Sequence, residues 1–187
     1  MAILGATIPQ TSEYDPYYTR YVALVPQQPI LSVLGGQATE MAEILGGITD
    51  EQASFRYAPG KWTIKQVLGH IMDTERVFAY RALRIARDDR TPLEGFEQDD
   101  YVAHGPFETV SLAELLREYT VVRQATTLLF RHLSPEAWNR RGTANQAEVT
   151  VRALAYIIAG HQAHHCRMLR ERYLLLLRET GQAVGKS

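Results

Sequence analysis

The 187-residue chain has one cysteine, no surplus of charge of either sign and no long apolar run, and each lack removes a class of protein. A lone Cys166 excludes an internal disulfide and fits a reducing compartment, so a cytoplasmic location is expected. Twenty basic and 21 acidic residues leave a formal charge of −1, so no overall field draws in a phosphate backbone, and nucleic acid is not expected as a partner. The arginines of "RALRIAR" and "RMLRERY" stand at helical spacing and are read as a solvated face. The late apolar run "YLLLL" is far too short to span a bilayer, and the N-terminus lacks the basic start of a signal peptide, so no membrane association is expected. Strand signals are scarce.

What is present is ordinary globular composition, 45% hydrophobic and 22% charged, which argues against extended disorder and for one packed domain. Four segments carry a helical apolar period. The first runs from about Pro29 to Gly46 through Leu31, Leu34, Ala38, Met41 and Leu45. The second starts at "TIKQ", where Thr63 and Gln66 have the spacing of a capping box, and continues through Val67, Ile71, Phe78 and Ile85. The third starts at "SLAE" with Ser111 and Glu114 in the same relation. The fourth spans about Thr150 to Arg178. Four such stripes around one core predict an all-α fold, an antiparallel four-helix bundle over 29–179 with long connecting loops, preceded by an N-terminal arm over 1–28 and followed by a flexible tail over 180–187. The arm carries Tyr14, Tyr17, Tyr18 and Tyr21 and is expected to pack across the bundle, because so many aromatics are a liability in water. "TDEQ" and "SPEAW" read as short helix starts.

Three of the six histidines fall within "GHQAHHCRML". At about 100° per residue, His161 and His165 lie within or beside the apolar stripe, while His164 lies toward its edge. Two imidazoles four residues apart stand one turn above each other and can converge on one divalent metal ion. Satisfied core histidines are the competing reading. Two rings do not close a metal site; His70 in the second segment is the best third ligand on spacing, with His104 its rival, and His164 an alternative on the same helix. His132 and Cys166 are read as edge, packing or surface residues. "HQAHH" has the frame of the metallopeptidase signature H-E-x-x-H, but Gln162 replaces the glutamate that serves as general base, which excludes a peptidase of that type. No histidine has a glutamate three residues before it, so a ferritin-like di-iron site is disfavoured.

"PGKWTIKQVLGHIMDTERVFAYRALRIAR" and "GHQAHHCRMLRERYL", about ninety residues apart, together resemble the DinB-like superfamily of metal-binding four-helix bundles, and "GFEQDDYVAH" resembles a loop of many members. The chain departs from the commoner pattern at Gln162, where many relatives have glutamate. The resemblance implies a metal site made of His70, His161 and His165, with Trp62 at the start of the ligand-bearing helix. It implies a metal-dependent small-molecule transferase that uses a low-molecular-weight thiol, or a related hydrolase, and a homodimer. The competing expectation is a non-catalytic, metal-stabilised binding or structural dimer. Imidazole ligands accept zinc, nickel or iron, so the ion is left unnamed.

Overall fold

A computed structural model describes residues 7–179. The flexible tail expected over 180–187 lies outside the described residues, as do the first six residues of the arm. Four long helices form the body: α2 (Ile30–Leu45), α4 (Ile64–Ala86), α6 (Leu112–Arg131) and α8 (Val151–Met168). Shorter helices lie before, between and after them: α1 (Thr19–Val22), α3 (Asp50–Ala53), α5 (Gln98–His104), α7 (Pro135–Trp138) and α9 (Leu175–Glu179). The all-α bundle with long loops stands as expected.

The helix starts obey the local chemistry read from the sequence. Thr63 accepts from the Gln66 backbone N–H while the Gln66 side chain accepts from that of Thr63, a complete capping box at the head of α4. Thr49 and Gln52 make the same pair at α3. At α6 only half the expected box forms, with Ser111 accepting from the Glu114 N–H. The fourth segment is one continuous helical path, but it loosens into a π-helical stretch at Leu169–Leu174 before α9.

The order of packing explains the loop lengths. α2 and α4 each pack against both α6 and α8, so α2 and α4 sit diagonally across the bundle. Lys65, near the start of α4, and the Leu112 N–H, at the start of α6, both reach Asp50, while farther along Glu75 pairs with Arg123; α4 and α6 therefore run parallel, which corrects the expectation of an antiparallel bundle for this pair. α4 is antiparallel to α8, because His70 near its start meets His161 while Ile85 at its end meets Gly142, ahead of α8. Two parallel neighbours need a connection that returns the full length of the bundle, which residues 87–111 supply.

The structure adds a small sheet where strand signals are few. β1 (Arg141–Ala144) pairs antiparallel with β2 (Ala147–Thr150), and Asn145 and Gln146 turn the chain with positive φ of 50° and 64°, the double left-handed conformation of a tight hairpin. The arm lies across α8, held by buried Tyr14, Tyr21 and Val22 and by Glu13, which bonds to Arg152 and Thr150. No helix among the described residues is long and apolar enough to cross a membrane. The leucine run near the C-terminal end is largely absorbed by the bundle itself: Leu174 and Leu177 are buried and Leu175 is exposed.

Candidate metal centre

Three imidazoles meet where α4 faces α8. His161 Nε2 lies 3.0 Å from His70 Nε2 and 3.1 Å from His165 Nε2, and all three residues are buried. His161 and His165 point the same way because they stand one turn apart on α8; His70 comes from the second turn of α4. The cluster is the one group of His, Cys, Asp or Glu residues among the described residues with the geometry to hold a metal ion.

One imidazole nitrogen offers either a single proton or a single lone pair, so His161 Nε2 cannot make two good hydrogen bonds to two such neighbours. A shared cation facing three lone pairs resolves the conflict, and separations near 3 Å suit nitrogens each about 2.0–2.1 Å from one ion. The rings are also held neutral, as ligands must be. Burial, and then the charge of His164, push the His70 pKa down to about 4. Burial and the neighbouring imidazoles push His161 and His165 well below the ordinary histidine range. His165 Nδ1 is buried without a partner among the described residues, and His70 Nδ1 has only a long contact of 3.5 Å to Thr74 Oγ1.

The surroundings exclude water on one side and open on the other. Trp62 packs on His70 with ring centroids 4.7 Å apart, and Phe107 covers Gly69 so closely that a Cβ there would lie 2.4 Å from its ring. Tyr21 from the arm packs edge-on against both His161 and His164. On the open side, His70 and His161 line a cleft of about 410 Å³ walled by Tyr18, Phe78, Phe96 and the Asn145 turn.

The other sequence candidates fall elsewhere. His104 is exposed at the end of α5, its Nδ1 paired with the Asp100 carbonyl, and is not in the cluster. His164 packs beside His165 and Tyr21 without joining the three Nε2 atoms. Cys166 is buried in packing beside Gln162. Gln162 itself turns away from the cleft into the bundle core, where its amide bonds to Tyr119, Arg123 and the Gln37 carbonyl.

One reading of the charge pattern is corrected. Arg81, in "RALRIAR", is 3% exposed and lines the cleft rather than a solvated face. It is missed because helical spacing gives the direction of a side chain, not whether a loop and an arm will close over it. The signal available was the interval of eleven residues from His70, about three turns and hence the same face of α4.

The DinB superfamily model matches residues 35–169, which contain all three clustered histidines. The chain belongs to the DinB superfamily. Another protein similar to it is a candidate metal-dependent hydrolase of Oceanobacillus iheyensis, 23% identical over 127 residues that cover 67% of this chain and 72% of that one. Among solved structures, YfiT from Bacillus subtilis, described as a candidate metal-dependent hydrolase with an unusual four-helix bundle topology, superposes with a TM-score of 0.70 at 18% identity, over 92% of this chain and 93% of that one. This DinB chain therefore shares its fold with YfiT across nearly its whole length, in agreement with the resemblance read from the two histidine blocks.

Proposed function

We propose that His70, His161 and His165 hold one divalent metal ion and that the chain is a metal-dependent hydrolase of small molecules bound in the adjoining cleft. The observation that carries this reading is the convergence of three buried Nε2 atoms, with the rings of His70 and His161 lining that cleft. A metal with three protein ligands and an open position supplies a Lewis acid and lowers the pKa of bound water. The protein's own part is to orient the three rings, to keep them neutral by burial, and to shield the side away from the cleft with Trp62 and Phe107. The two similar proteins described as candidate metal-dependent hydrolases support the same direction.

Transfer to a low-molecular-weight thiol is the second acceptor chemistry for such a site. It requires a thiol from outside, because Cys166 is buried and desolvation pushes its pKa up to about 12. A cytoplasmic location and a homodimer belong to this proposal as well. For self-association, the exposed Tyr80, Leu83 and Val121 beside the α4–α6 groove offer more apolar surface than the last helix does.

The test is metal content by elemental analysis together with turnover of uncharged 4-nitrophenyl esters and anilides, with and without an added thiol. The expected result is one metal per chain, loss of metal in each of His70→Ala, His161→Ala and His165→Ala, and turnover that disappears on chelation and returns with metal. Turnover only with thiol present would replace hydrolysis by transfer. Equal metal content in wild type and the three variants would overturn the reading.

A further inference from the structure

Among the described residues, the buried cations Lys65 and Arg123 each face a carboxylate, Asp50 and Glu75, at 2.8 Å. Arg81, equally buried, has no carboxylate within ion-pair distance among the described residues. Its Nη2 donates to the Glu94 carbonyl, its guanidinium carbon lies 5.2 Å from the Phe78 ring centroid, and the Tyr18 hydroxyl lies within its reach. A carbonyl, a ring face and a phenol satisfy donors without neutralising a charge, and an unpaired buried charge is costly. Burial lowers the Arg81 pKa, yet an arginine keeps its proton in protein.

Arg81 also lines the cleft that His70 and His161 share. Its Cα is about 16 Å along α4 from that of His70, eleven residues at about 1.5 Å each. A long side chain on a helix leans back toward the N-terminus, and the Arg81 guanidinium accordingly lies over the Phe78 ring, one turn nearer the histidine cluster than its own Cα. Between them lie Thr74, Phe78 and Tyr18, a wall with an apolar middle.

We propose that Arg81 is the recognition site for a carboxylate on the substrate, so that the natural substrate is a singly anionic small molecule whose carboxylate sits at the Arg81 end of the cleft while the bond that reacts lies at the histidine end. The reacting end of this assignment rests on the hydrolase reading above; the carboxylate end does not. A planar guanidinium fork matches a carboxylate. A dianion such as a phosphate monoester is disfavoured, because Asp15 and Glu97 line the same cleft and one guanidinium offsets only one charge.

The experiment is calorimetric titration of the metal-loaded full chain with hexanoate and with hexanamide, which differ in charge but hardly in shape. Hexanoate is expected to bind at least about tenfold more tightly, a preference of about 1.4 kcal/mol. Arg81→Gln is expected to abolish the preference, Arg81→Lys to keep part of it, and His70→Ala to keep it whole. A wild-type preference near one, its survival in Arg81→Gln, or its loss in His70→Ala, which would place the carboxylate on the metal, each overturns the proposal. If Arg81→Gln does not fold, by circular dichroism, Tyr18→Phe and the wild-type ratio decide: a preference weakened in Tyr18→Phe and retained in His70→Ala supports the proposal, and one unchanged in Tyr18→Phe overturns it. Because binding is read without turnover, a failed hydrolysis assay beside an intact hexanoate preference overturns only the hydrolase reading.

Discussion

Arg123 Nη2 donates to Gln162 Oε1 at 2.6 Å in the middle of the bundle, and the same guanidinium meets Glu75 at 2.8 Å. Gln162 follows His161 directly in sequence but points about 100° away around α8, toward α2 and α6, where Tyr119 also donates to Oε1 and Nε2 donates to the Gln37 carbonyl. The position that holds a general base in H-E-x-x-H is here a structural joint between three helices.

Gln162→Leu is expected to leave Arg123, Tyr119 and the Gln37 carbonyl short of partners and to cost about 3 kcal/mol in urea unfolding. Metal stoichiometry is expected to stay that of the wild type, since neither clustered α8 histidine bonds to Gln162. A variant that unfolds as the wild type does would show that this network is not structural.

Gly160→Ala tests the close approach of the arm. A Cβ at residue 160 would stand 2.0 Å from the Tyr21 carbonyl oxygen, a backbone atom that cannot swing aside alone. Glycine to alanine inside a helix ordinarily stabilises by about 1 kcal/mol. Here the substitution is expected to destabilise, lowering Tm by about 5 °C, roughly 2 kcal/mol at this chain length, with faster amide exchange in α1. A raised Tm would mean the arm does not dock on α8 in solution.

The arm's other anchor predicts a pH dependence. Burial alone would raise the pKa of Glu13, but hydrogen bonds from Arg152, the Gln10 N–H and Thr150 outweigh it and hold the carboxyl below its ordinary 4.5. The unfolded chain therefore binds this proton more readily. The stabilisation is fully present above about pH 4.5 and is lost as pH falls through the lower folded value. Exchange protection of residues 11–24 should fall on acidification in the wild type. In Glu13→Gln it should already be about tenfold lower at pH 7, in keeping with a charged hydrogen bond of about 1.5 kcal/mol, and should vary little with pH. A pH-independent wild type would refute the anchor.

Cys166 is expected to be inert. Desolvation, and then the charge of Glu40, raise its thiol pKa to about 12, so at pH 8 its thiolate fraction is about a thousandfold below that of a free cysteine. Reaction with a disulfide reagent such as dithionitrobenzoate should be at least about a hundredfold slower in the folded chain than in denaturant. Rapid native labelling would contradict the burial of this thiol.

Four amphipathic periods, the capping residues Thr63 and Ser111 and the four-residue interval between His161 and His165 are local features, and local stereochemistry carries them directly into helices and into a shared direction for two rings. His70 was legible as a third partner by its face on α4 and by the family resemblance. The tertiary structure decided what no interval along the chain encodes. A parallel pairing of α4 with α6 demanded the long return of 87–111, and that return together with the arm and the Asn145 turn closed a cleft over Arg81, which spacing alone had assigned to solvent. It also brought Tyr119, Arg123 and the Gln37 carbonyl to the face of α8 that Gln162 occupies. The direction of a side chain follows from its own helix, but its solvent and its charge partners come from segments far away in sequence, and only packing brings those together.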